Sequence, residues 1–138
     1  MENTDRTFAA HRVGGVTVVN ATPHEVTFLV EGTEIVVPPS GATLKADASD
    51  EVVGRVGDAD IVRVAFRRSA EGDAELAALL AQHPDALIIG SMISAQAFGY
   101  PVVALVAAPG HERLPPNQRR YRADRFTVVG DLPDDVRC

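Results

Sequence analysis

Two wholly apolar runs, Ala86-Leu87-Ile88-Ile89 and Val102-Val103-Ala104-Leu105-Val106-Ala107, constrain the fold more than any other feature of this chain. Neither alternates with polar residues, so each needs cover on both faces, the mark of a strand inside a sheet. Between them lie Gly90-Ser91, a short helical stretch from Met92 to Phe98, and Gly99-Tyr100-Pro101 as a stop. The eleven residues 91–101 are about the minimum for a βαβ crossover. A parallel pair is expected, with an antiparallel return as the rival.

The first half of the chain reads as short β segments. Val16–Val19 is β-branched and stops at Asn20-Ala21-Thr22-Pro23, a turn by composition. Glu25–Val30 and Glu34–Val37 flank a Gly32-Thr33 turn, and Pro38-Pro39-Ser40-Gly41 closes the second of them. Ala42–Lys45 and Val52–Val56 are weaker candidates. Ile61–Arg67 alternates, with Val62, Val64 and Phe66 on one face and Arg63 and Arg67 on the other. Ser69 to Asp73 supplies capping oxygens for a helix over Ala74–Gln82 that ends at His83-Pro84. Phe126–Val129 is the last strand. The expectation is an α+β fold: an N-terminal antiparallel β-meander, then a helix and a short βαβ-like unit, in one mostly-β sheet. Residues 1–14 read as a flexible arm with Phe8 pinned to the body, 15–130 as a single domain and 131–138 as an acidic tail.

Composition bounds the class of protein. At 138 residues, 46% hydrophobic and 23% charged, the chain has the make-up of one globular domain rather than a disordered tail or a collagen-like repeat. A single cysteine, Cys138, excludes an internal disulfide and a thiolate cluster. No apolar run reaches the ~18 residues of a membrane span, and the N-terminus lacks the order of a secretory signal. A soluble, cytoplasmic protein is expected.

The net charge of −6 is unevenly spread. Residues 1–110 carry 14 acids and 7 bases, whereas residues 111–125 carry five arginines against Glu112 and Asp124. An acidic protein is a poor binder of long nucleic acid, whose affinity comes from displaced counterions. A small anion on the local arginines remains compatible with that balance.

The candidate site follows from the two apolar runs. If they are parallel, their carboxyl ends share one sheet edge, where open α/β sheets bind ligands. The first run delivers Ser91 and a helix start, with Ser94 one turn on. The second delivers Ala108-Pro109-Gly110-His111-Glu112-Arg113. Ser91, Ser94, His111, Arg113, Arg119 and Arg120 are the expected ligand-binding residues, because hydroxyls, free helix N–H groups and guanidinium groups all favour an anion. The plainer reading makes Ser91 an N-cap and 109–116 a connecting loop. Ser91, His111 and Glu112 are also the residue types of a nucleophile, base and orienting acid, without a G-x-S-x-G elbow. His11, His24, His83 and His111 show no metal-binding spacing, no P-loop follows Gly90-Ser91, and no metal or cofactor is expected.

Asn20-Ala21-Thr22-Pro23-His24 is the most distinctive short string. Asn20 and Thr22 can bond their own backbone, Pro23 sets the turn, and His24 either closes it or serves as a ligand or acid–base group. The string resembles the Asn-Leu-Thr-Pro-His opening of small, largely uncharacterised bacterial and phage proteins. The Pro39-Ser40-Gly41 turn and the strand ending in Ser91 before a small-residue helix to Ala97 are similar too, while Ala21 departs from the usual Leu. The resemblance implies a shared small β-rich fold and no particular activity.

Three function classes follow. The first is a binding protein for a nucleotide or other phosphorylated anion. The second is an interaction protein that forms a homo-oligomer through β edges and the arginine-rich segment. The third is a small hydrolase using Ser91 or His111.

Overall fold

The computed structural model describes residues 6–137. In chain order its elements are β1 (His11–Val13), β2 (Val16–Asn20), β3 (Val26–Val30), β4 (Thr33–Val37), β5 (Ala46–Val56), β6 (Ala59–Arg68), α1 (Ala70–Gln82), β7 (Leu87–Ile89), α2 (Met92–Phe98), β8 (Val102–Ala107) and β9 (Tyr121–Thr127). The fold is mostly β, with a large mixed sheet and two helices. The apolar runs become neighbours, and β7 and β8 pair in parallel, Ile88 with Val102 and Ile89 with Val103. Strand β2 joins the other side of β7, also in parallel. Seven strands lie in the order β1-β2-β7-β8-β9-β3-β4, and β5 and β6 form a separate two-stranded sheet.

The side chains of β2 and β7 divide two cores by simple alternation. Val19 and Ile88 face one way and, with Val102, pack against Leu76 and Leu79 of α1 and Phe98 of α2. Val18 and Ile89 face the other way and pack with Val13, Val26, Phe28 and Val37. The second cluster draws on β1 and β4, the two ends of the sheet order, so the sheet curls until its ends share one interior. There Phe28 meets Phe126 at 6.3 Å between ring centroids.

Asn20 fastens that curl. It is 0% exposed, and its Nδ2 donates to the His24 carbonyl (2.8 Å) and to the Val37 carbonyl of β4 (3.1 Å). Its Oδ1 accepts from the Thr22 N–H (3.0 Å) and the Thr22 hydroxyl (2.6 Å). Its main-chain carbonyl accepts from the Ser40 N–H (2.9 Å) and hydroxyl (2.7 Å). The Asn20–His24 turn and the Pro39-Ser40-Gly41 turn, separate in the sequence, are therefore one hydrogen-bonded unit.

Several expectations are corrected. The first half is not one meander. β1–β2 and β3–β4 are antiparallel hairpins held apart by β7, β8 and β9, because the apolar strands of the second half take the central places. There are two sheets rather than one. Ala42–Lys45 is not a strand; Ala42 and Leu44 are buried core residues instead, and the strand begins at Ala46. The β3–β4 turn is Glu31-Gly32, both at positive φ (50° and 81°), the geometry a two-residue hairpin turn requires. The last strand is Tyr121–Thr127, so part of the arginine-rich segment is strand rather than loop.

Within the expected arm, residues 6–14 are tied down and residues 1–5 lie outside the described residues. Phe8 is buried, its N–H donates to Gln82 Oε1 (2.9 Å), and Arg6 pairs with both Glu75 oxygens at 2.9 Å. Cys138 is likewise outside the described residues. Among the described residues no helix is long and apolar enough to cross a membrane.

Helix α1 begins at Ser69, whose side chain accepts from the Gly72 N–H (2.9 Å) and donates to the Lys45 carbonyl (2.6 Å). Gly72 is buried where a Cβ would collide with the Phe98 ring and the Lys45 carbonyl. Gly72→Ala, which gains ~1 kcal/mol of helix propensity at an open site, is expected to destabilise by about 1–3 kcal/mol here, read by urea unfolding. Asn20→Asp replaces both Nδ2 donors with a carboxylate oxygen aimed at two carbonyls, and should cost about 3 kcal/mol at pH 7. Burial raises that carboxyl's pKa above its unfolded value. The deficit relative to wild type should therefore be full at neutral pH and shrink as pH falls through the folded pKa.

Candidate functional site

A cleft of about 750 Å³ opens where the carboxyl ends of β2 and β7 meet the amino ends of β9 and β3. Three segments remote in sequence line it. Thr22, His24 and Glu25 come from the turn after β2, Gly90, Ser91 and Met92 from the β7–α2 junction, and Pro116, Asn117, Arg119, Arg120 and Tyr121 from the approach to β9. Ala104 and Leu105 of β8 add apolar wall.

Ser91, Arg119 and Arg120 already have local tasks. Ser91 caps α2, its hydroxyl oxygen accepting from the Ser94 N–H (3.0 Å) while its proton is directed to Ser94 Oγ (3.2 Å). Arg119 donates through Nε and Nη2 to the Leu114 carbonyl (3.2 and 2.8 Å), closing the loop that precedes it. Arg120 donates through Nε to Glu34 at 2.8 Å across to β4. His24 is exposed and lines the cleft, and its main-chain carbonyl accepts from Asn20. Arg119 and Arg120 make the cleft cationic, and Glu25 supplies one carboxylate.

Ser91, Arg119, Arg120, Thr22 and His24 of the expected residues thus converge. Four others do not. Ser94 is buried beneath α2, its hydroxyl donating to the Leu44 carbonyl (3.3 Å). Asn20 is the internal fastening described above. His111 and Arg113 stand outside the cleft wall because the loop folds back through successive tight turns. The His111 N–H donates to the Ala108 carbonyl (2.9 Å) and the Leu114 N–H to the His111 carbonyl (3.1 Å). His111 Nδ1 is then consumed as acceptor for the Arg120 N–H (3.1 Å). The returning limb of the loop faces the cleft, and the outgoing limb does not.

Glu25 and Met92 line the cleft without having been singled out from the sequence, whereas Asn117 and Tyr121 belong to the arginine-rich run, whose residue types can clamp a phosphate and stack on a base. Glu25 and Met92 carry no local signal that could have found them. Further along β9, Arg122 donates to both oxygens of Asp124 (2.8 and 3.1 Å). That bonding holds the Asp124 carboxyl below the usual carboxylate range and raises Arg122. This pair satisfies itself on the strand surface, and neither residue lines the cleft.

No Ser–His hydrogen bond exists at the cleft among the described residues. With Ser91 committed to α2 and His111 to the loop, a nucleophile–base contact is missing. No cluster of His, Cys, Asp or Glu among the described residues is placed to hold a metal ion. Ser91→Ala should cost about 1 kcal/mol of stability as a lost N-cap, measured by chemical denaturation. No protein-family model, curated protein or solved structure matches this chain.

Proposed function

We propose that this chain is a cytoplasmic binding protein for a small phosphorylated metabolite, nucleotides included, held in the cleft between the Asn20–His24 turn, Ser91 and the Arg119–Arg120 limb. The observation that carries the reading is the convergence of His24, Ser91, Arg119 and Arg120 from three distant segments. The cleft volume lies within the range of small-molecule sites, which combine apolar walls with a few placed polar groups. Arginine suits a phosphate because its planar fork can donate twice. Glu25 faces the same space, so a ligand carrying a hydroxyl or amine donor beside its anionic group fits better than a bare anion. The hydrolase alternative with Ser91 and His111 draws no support from this geometry.

Arg120 is shared with Glu34, which gives the reading a test of sign. Glu34→Gln frees the guanidinium and should tighten binding of pyrophosphate or a nucleoside diphosphate, measured by titration calorimetry. His24→Ala and Arg120→Ala should each weaken it by roughly tenfold, the loss of one charge-assisted contact. Absence of binding heat for both probes, in wild type and in Glu34→Gln alike, would contradict the proposal. Self-assembly, the second reading, is favoured by a different part of the molecule.

A further inference from the structure

The β5–β6 hairpin is long, with strands of 11 and 10 residues, which at ~3.3 Å per residue reach over 30 Å. It belongs to neither core cluster. Its register places Ala48 opposite Phe66 and Val52 opposite Val62, with Val64 on the same face. That face also carries Asp50, opposite Val64, but is otherwise largely apolar, and Val52, Val62 and Val64 are 60%, 46% and 44% exposed. The opposite face carries the cross-strand pairs Asp47–Arg67 and Glu51–Arg63. The hairpin packs against α2, and at its base Arg68 pairs with Asp73 of α1 (2.6 Å). A lone two-stranded sheet is marginal in water, and it presents two unpaired edges.

The charges say which edges match. Strand β5 carries Asp47, Asp50 and Glu51 against Arg55, a net of −2. Strand β6 carries Arg63, Arg67 and Arg68 against Asp60, a net of +2. Like edges repel and unlike edges attract, so the hairpin complements itself only head to tail. We propose that copies of this chain assemble through the hairpin, the β5 edge of one pairing with the β6 edge of the next, closing a ring with the valine-bearing face turned inward. Closure removes every edge and buries the valines. Three copies give six strands and four give eight, and eight strands leave an interior that side chains can just fill. A two-fold dimer is disfavoured because it sets β5 against β5 or β6 against β6.

Native mass spectrometry of the full chain tests the assembly, and a single species of three or more 14.7 kDa copies is expected. A monomer or a dimer overturns it. Val62→Asp combined with Val64→Asp should reduce the species to monomer; an unchanged oligomer overturns the role of that face. A second variant, Asp47→Arg, Glu51→Arg, Arg63→Glu and Arg67→Glu together, preserves both cross-strand pairs while exchanging the sign of the two edges. It should form its own oligomer of wild-type size and refuse to mix with wild type when the two are refolded together. Statistical mixing, or failure of this variant to assemble alone, overturns the pairing of unlike edges.

Discussion

One buried asparagine holds the sheet closed. Asn20 lies at the end of β2, second in the strand order, and reaches β4, the seventh, through its Nδ2 donation to Val37. Both donors and both acceptor positions of its amide are used, and its main-chain carbonyl takes two more bonds from Ser40. A buried amide left half-paired would destabilise the core; one fully paired fixes geometry instead. Here the fixed geometry is the curl that lets β1, β3 and β4 share an interior. The same bonds set the Thr22–Glu25 turn that forms one wall of the cleft, so fold and site share a single fastening.

The cleft's charge is less free than a count of arginines suggests. Of the five in residues 111–125, Arg119 braces its own loop, Arg120 is paired with Glu34, and Arg122 with Asp124. Partly exposed pairs of this kind contribute little stability, but they orient side chains. Under the proposed reading, a ligand at Arg120 must compete with Glu34 for the guanidinium. That competition penalises weakly charged ligands more than a phosphate able to accept two hydrogen bonds.

How far the sequence spoke depended on which physical signal each segment carried. Ala86–Ile89 and Val102–Ala107 announced buried central strands because nothing polar interrupts them, and Ser69, Ser91 and Pro84 marked helix limits through capping and backbone restriction. Asn20–His24 was readable as a turn, though not as a partner of Ser40, since a contact across 20 residues leaves no local pattern. Strand β5 was largely hidden: Ala46–Glu51 mixes small and acidic residues and lacks the apolar period a packed strand shows, consistent with a hairpin that meets no core of its own. The approach to β9 read as loop because arginines dominate it, whereas pairing with β3 and β8 makes Tyr121–Thr127 a strand. Within the site, the parallel pair brought Ser91 and the Arg119–Arg120 limb to one rim. His111 and Arg113 were lost to loop folding that sequence spacing does not encode.

The account stands on the Asn20 fastening being a permanent part of the folded body. Native-state hydrogen exchange at the Ser40 amide, which donates to the Asn20 carbonyl at 2.9 Å, reads this directly. It should exchange as slowly as the Ile88 and Gly90 amides of the central strands, through global unfolding alone. Exchange at the rate of an open loop, while those central amides stay protected, would show that the sheet's ends part in the native state and would contradict the account.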